Sequence, residues 1–462
     1  MKNTATTAEA YQLIHNGILA LARAERQGIR IDVAYCEQKK KHLERKMKYL
    51  QKKLEDSKLY RQWRHIYGNK TNIHSNHQLA KILYKILKIE PPKMTDKGGM
   101  GATDEDALKQ IDMPELNAIL QIRKLSKIKE TYLGSFMRAE INGYIHPFFK
   151  LHTVRTFRSS SSDPNFQNIP KRDKEAMQIC RRALLPRPGH MLIEADFSSI
   201  EVMVSCCYHK DPVMLNYVRD KKSDMHLDMA KQIFMFDTLD KRIPAHGRMR
   251  QAAKNGFVFP QFYGDYYGNN AKGIAEWVEL PQRIWREGMG IELPDGSHIS
   301  DHFREQKIRS FDRFIEHMRL VEDDFWNNRF KIYNAWKKTW IRQYQKLGYM
   351  KMLTGFTCSG MMRKNELTNY PIQGTAFHCL LLTFTLLDEI MRKEKWDSKL
   401  IGQVHDSIVM DVHPDEREHI ENTAHRIVRE ELPKIWKWIN VPLEIEVTRY
   451  GVDKPWIETA KA

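Results

Sequence analysis

Asp196 and Asp406 each close a hydrophobic, strand-like run, and between them in the chain lies a cationic helix face bearing Arg250 and Lys254. Two carboxylates suit hard divalent ions and two cations suit a polyphosphate, which together form the equipment of phosphoryl transfer. The turn at Pro188 and Gly189 and the run from Met191 to Ala195 predict a strand that ends at Asp196. Ser198 and Glu201 then read as a capping box opening a helix. From Leu400 to Val412 the chain is apolar on both sides of His405 and Asp406, as in a tight hairpin with those two residues at its turn. Carboxylates converging from separate strands can bridge two ions about 3.5–4 Å apart. Arg250 and Lys254 are i, i+4 neighbours able to reach one polyphosphate, and His226 offers a third donor. An acid at a turn, or the aromatics Phe257, Phe259, Phe262 and Tyr263 alone, would be ordinary turn and core chemistry; the combination points to a site.

These segments need a scaffold. The 462 residues suit about two to four compact units, and 42% hydrophobic content supplies a core. Lys and Arg number 75 against 58 Asp and Glu, a net charge of +17. That excess favours a polyanionic partner, nucleic acid before an anionic membrane. No apolar run approaches the ~20 residues of a spanning helix, and the first residues lack the apolar core of a signal peptide. The six cysteines form no C-x-x-C pair, which predicts reduced, intracellular thiols.

Residues 9–32 read as an apolar helix, a turn at Gln27 and Gly28, and a short strand from Ile29 to Ile31. Leu43, Met47, Leu50 and Leu54 keep helical spacing within a basic helix from Cys36 to Asp56. A polar turn near Asn72 opens another helix, and a Gly-rich loop spans 95–103. The predicted helix from Leu116 to Tyr132 carries Arg123, Lys124, Lys127 and Lys129, so two basic helices would suit gripping a duplex backbone. A serine-rich stretch from Arg158 to Pro170 marks a change of character. Residues 212–368 read as mostly helical, and the remainder alternates helix and strand.

In order and wording, the segments around Asp196, from Arg250 to Gly264, and around Asp406 resemble motifs A, B and C of the family A DNA polymerases, the DNA polymerase I group of phage or bacterial type. The likeness runs from about residue 12 to residue 450 and includes Arg158 to Pro170 and Asn369 to Thr375. It implies an α+β right-hand polymerase fold with an antiparallel-sheet palm, helical fingers and a helical thumb. The implied divisions are an N-terminal segment and thumb over 1–150, palm over 151–215, fingers over 216–368, and the second part of the palm over 369–462. By matching position, Asp196 and Asp406 are implied as catalytic metal ligands, with the Phe197 carbonyl assisting, for two Mg2+ ions that Mn2+ can replace. His226, Arg250 and Lys254 would contact the triphosphate, Phe259 and Tyr263 the incoming nucleotide, and Glu201 would sense the ribose. Arg158, Asn369, Gln373 and His405 would touch the minor groove or the primer end, where acceptors look alike for every base pair.

The implied activity is template-directed addition of dNTPs to a primer 3′ end on primer-template DNA, in the cytoplasm, the host's if the chain is phage-encoded. No acidic exonuclease motif precedes the thumb-like segment, so proofreading is expected only from a separate exonuclease or replisome partner, and no membrane is expected as a partner. One rival is a single-subunit RNA polymerase of related fold, against which Glu201 argues, because a bulky acid there should exclude a 2′-hydroxyl. The other is a catalytically silent nucleic-acid-binding protein, against which both aspartates and the three phosphate donors argue. Ser407 departs from the family pattern by replacing a usual Glu, so a third carboxylate is absent, and Ser199 replaces a usual Gln. One extra residue follows Lys254, with Gly256 and Pro260 nearby, which predicts a bulge in that helix. Phe257 and Phe259 then compete for the nucleotide-facing place; Phe259 keeps the distance to Tyr263 and is preferred. Residues from about 270 to 325, with Trp277 and Trp285, exceed the usual fingers and are expected to brace them.

Overall fold

The strand that closes on Asp196 and Phe197 pairs antiparallel with the strand that begins just after Asp406. The computed structural model describes residues 4–95, 99–171, 173–220 and 222–459. Along the chain come β1 (Met191–Phe197), α1 (Ile200–His209), α2 (Met225–Phe234), α3 (Pro244–Ala253), α4 (Lys364–Lys393), β2 (Lys399–Val404), β3 (Ser407–Val412) and β4 (Ile445–Arg449). The sheet order is β2-β3-β1-β4 with every pair antiparallel. Register sets Ser407 opposite Asp196, so the turn at His405 and Asp406 leaves the sheet at the same end as Asp196. β1 and β3 are buried almost throughout, and α4 packs on the hairpin of β2 and β3. Strands covered on both faces read as near-continuous apolar runs, which is how these two read in the sequence.

α4 corrects one expectation. It has 30 residues and is apolar enough, by length and composition, to cross a membrane, but 78% of its apolar window is buried inside the protein. Its Pro371, Gly374 and Thr375 hid the length of the run, and its place is that of a core helix.

The N-terminal part holds the helices Thr7–Gln27 and Val33–Glu55 and the strand Ile29–Ile31, which joins a second four-stranded sheet. A satellite core built on Leu54, Leu59, Trp63, Leu79, Ile119 and Ile122 lies apart from the main one. Residues 96–98 of the Gly-rich loop lie outside the described residues. The second basic helix is Pro114–Ser126 and runs on as a π turn, Lys127–Leu133. Most of its charge is already claimed. Arg123 donates to the Ile73 and Thr103 carbonyls at 3.1 and 3.3 Å. Lys124 pairs with Asp173 and Glu175 at 2.8 and 3.0 Å, and Lys129 with Glu130 at 3.1 Å. Arg123, Lys124 and Lys129 thus also stitch this helix to its neighbours.

The segment beyond residue 270 builds a packed body. Trp285, Phe303 and Phe314 are fully buried in the main core. His302 and His317 donate through Nε2 to the Phe234 and Ile233 carbonyls at 2.8 and 2.9 Å, satisfying the open C-terminal end of α2. His302 also stacks on Phe236 at 3.9 Å.

Candidate active site

Asp196 sits where β1 ends, its Oδ2 3.0 Å from the Lys171 ammonium. Asp406 sits in the hairpin turn beside His405, which takes a left-handed φ of 54°. The Phe197 amide donates to the Asp406 carbonyl at 3.0 Å, tying the strand end to the turn, so the Phe197 carbonyl lies at the same sheet edge. Arg158 bridges two acids: Nη2 lies 3.4 Å from Asp406 Oδ1 and Nη1 lies 3.3 Å from Glu201 Oε1. The Tyr263 hydroxyl donates to Glu201 Oε2 at 2.6 Å, completing a chain Tyr263–Glu201–Arg158–Asp406. Burial pushes the Asp406 carboxyl up to about 6, because Arg158 offsets it only in part while Glu201 and Asp196 add negative charge. About a third of that side chain, 34%, remains open to the cleft.

The capping box does not form. Ser199 takes a left-handed φ of 51° at the start of α1 without capping it. Ser198 stays with the sheet, its amide donating to the Glu444 carbonyl at 3.0 Å and its hydroxyl to Glu446 at 3.2 Å. Sheet pairing with β4 wins over the local cap, and Glu201 is left to face the cleft.

The extra residue after Lys254 is absorbed as a π turn, Lys254–Val258, in which the Phe259 amide donates to the Lys254 carbonyl. Gly256 sits at its tightest point, where a Cβ would come within 3.1 Å of the Ile274 nitrogen. The turn separates the two competing aromatics. Phe257 is fully buried, edge-on to Phe325 at 5.2 Å, whereas Phe259 walls the cleft. Phe259 lies 5.7 Å from the His226 ring, with the Lys254 ammonium 5.3 Å over its own. Arg250 is turned toward Asp224, bonding both carboxylate oxygens at 2.8 and 3.1 Å. His226 is not a third cation: burial, then Lys254 and Arg250, push it down to about 4, and its Nδ1 is buried without a partner. It remains a neutral hydrogen-bonding group.

From α4, Asn369 donates to the Tyr263 carbonyl at 3.1 Å, and Gln373 lines the cleft beside Glu201 and Asp406. His405 lies along the adjoining groove with Arg158 and Lys171. The structure thus brings Asp406, Glu201, Phe259, Tyr263, Asn369 and Gln373 to one cleft, with Arg158 in the adjoining groove and Asp196 at the neighbouring sheet edge, and sets Arg250 back against Asp224. Lys171 and Tyr333 reach the site unforeseen. Lys171 directly follows the motif ending at Pro170, whereas Tyr333 lies in the stretch that read only as mostly helical. Glu194 is a third omission; an acid inside an aliphatic strand was its signal.

The donor set fits a hard divalent ion, with two carboxylates and a carbonyl at one sheet edge. Among the described residues no group of three or more His, Cys, Asp or Glu is placed to hold a metal.

The sequence profile of DNA polymerase family A matches residues 35–290 and 320–456, leaving part of the additional helical body unmatched. DNA polymerase I of Aquifex aeolicus (strain VF5) is 30% identical over 367 residues, covering 77% of this chain and 55% of that protein. The thermostable DNA polymerase I of Thermus filiformis is 28% identical over 455 residues, covering 95% of this chain and 47% of that protein. The chain therefore spans about half the length of these relatives. Among solved structures, the POL domain of Pol1 from M. smegmatis, in complex with DNA primer-template and dNTP, superposes with a TM-score of 0.72 at 22% identity over 95% of this chain and 69% of that one. The shared fold is the right-hand polymerase fold.

Proposed function

Because the chain belongs to DNA polymerase family A, we propose that it is a DNA-directed DNA polymerase, extending a primer 3′ end with dNTPs on a DNA template. One observation carries this reading: Asp196 ends its strand at the same sheet edge as the turn that bears Asp406, and Asp406 faces a cleft walled by Phe259, Tyr263 and Glu201. The similar POL domain was solved with primer-template and dNTP, which supports the same two ligands here. Residues 1–150 would act as N-terminal segment and thumb, 216–368 as fingers, and 151–215 with 369–462 as palm.

Metal dependence is general to the family, and Asp196, Asp406 and the Phe197 carbonyl would hold two Mg2+ ions. Bound there, the ions would acidify a primer hydroxyl and neutralise triphosphate charge. Lys171 and Arg158 would release the two carboxylates for that role. Lys254 and the neutral His226 would hold the triphosphate, with Arg250 joining once it leaves Asp224. Phe259 and Tyr263 would carry the base and sugar, and Glu201 would fill the space of a 2′-hydroxyl. Asn369, Gln373, Arg158 and His405 would line the primer-template minor groove. Six buried thiols accord with an intracellular site of action. Primer extension with dNTPs and with rNTPs, on the parent chain and on Asp196→Ala and Asp406→Ala, tests the reading. Extension by the parent with dNTPs alone, lost in both variants while primer-template binding persists, is expected. Synthesis by either variant would overturn the assignment of the aspartates.

A further inference from the structure

Position 407 carries a serine where the family pattern has an acid, and a buried acid to which the sequence reading gave no role lies one strand away. Glu194 and Asp196 are two residues apart on β1 and so share a face. Ser407, the first residue of β3, stands opposite Asp196, which makes Glu194 its diagonal neighbour. The Ser407 hydroxyl lies 3.0 Å from Glu194 Oε1, with the Val404 carbonyl at 2.8 Å as its other acceptor. Glu194 Oε2 accepts from Arg181 at 3.0 Å, the Tyr450 hydroxyl at 3.2 Å and the Trp456 indole at 3.2 Å.

Only 5% of Glu194 is exposed, among the aliphatic Leu192, Ile193 and Ala195. A buried ion pair is a poor way to stabilise a strand that an aliphatic residue would pack as well. Arg181 neutralises the charge, so the carboxylate adds little net field at the cleft. Its distinctive output is directional: one oxygen is anchored by three donors, and the other is presented to the hairpin beside Asp406. We propose that Glu194 is a positioning residue that supplies, from the neighbouring strand, the carboxylate motif C lacks, and that it holds Asp406 at a fixed separation from Asp196 through the Ser407 hydroxyl. This rests on the polymerase reading above, since that separation matters only if both aspartates share metal ions.

The test compares Ser407→Thr with Ser407→Val, a nearly isosteric pair that differs by the hydroxyl. Mn2+ binding is followed by electron paramagnetic resonance in complexes with dideoxy-terminated primer-template and dNTP, where no turnover occurs, alongside single-turnover extension. Ser407→Thr is expected to match the parent, and Ser407→Val to bind Mn2+ threefold to tenfold more weakly with unchanged circular dichroism and primer-template affinity. Equal Mn2+ binding by the two variants would overturn the proposal. Glu194→Asp keeps the charge near Arg181 but withdraws the carboxylate by one methylene, so on that background the Thr–Val difference should vanish. A persisting difference would mean that the hydroxyl acts through Val404 alone, which also overturns it. A parent chain that extends no primer sinks the polymerase reading itself; a parent that extends, with no Thr–Val difference, sinks only this one.

Discussion

At the proposed catalytic edge each aspartate is already held by a cation, Asp196 by Lys171 and Asp406 by Arg158, so metal binding there would exchange one partner for another. Asp406 is the more telling of the two, because burial raises its carboxyl from an ordinary 3.8 to about 6. The fold thus favours its protonated form. That contribution to stability is full below about pH 4 and is lost as pH rises through about 6. In EDTA, Asp406→Asn should melt above the parent at neutral pH, with the gap closing toward pH 4; a gap independent of pH would contradict the account. Glu201 gives a second prediction. It does not cap α1, so Glu201→Ala removes only the contacts to Arg158 and Tyr263, and stability should change by no more than about 1 kcal/mol. Discrimination against ribonucleotides should fall tenfold or more, about 1.4 kcal/mol, in competitive single-turnover incorporation.

Between residue and molecule, the helix ends and the π turn do the aiming. Pro260 and the extra residue allowed a bulge to be foreseen, but only the packing of Gly256 against Ile274 decides that Phe257 turns inward and Phe259 outward. The additional helices act on α2, the helix that begins at Met225 and carries His226. His317 donates to the Ile233 carbonyl near its far end, and burial holds that imidazole below its usual value, in the neutral form. His317→Ala should leave that carbonyl without a partner, costing about 1–3 kcal/mol in denaturant melts. If these helices brace the fingers, the KM for dNTP should rise severalfold while primer-template affinity holds. An unchanged KM in a folded variant would reduce the segment to packing alone.

Across the whole molecule, stability is divided between a main core and the satellite around Trp63. Trp63→Ala should cost about 3–5 kcal/mol within that satellite. Hydrogen exchange is expected to accelerate over residues 54–122 and not in β1 or β3; uniform acceleration would show a single cooperative unit instead. The pattern of the chain by itself determined much of this protein. Apolar runs that end on an acid announced the strand of Asp196 and the hairpin of Asp406, and helical spacing announced Arg250 and Lys254, because such signals are local. Ser198 was misread as a cap because the competing bond comes from Glu444, and the acidic partners of Lys124 and Lys129, Glu44, Asp173 and Glu175, lie too far along the chain to be read from local spacing. Arg158 meets Asp406 across 248 positions, and Ser407 meets Glu194 across 213. No local spacing encodes such pairs. The second exists only once the register of β3 against β1 has brought two distant, individually ordinary segments to one sheet edge, and that register is set by burial of both strands at once.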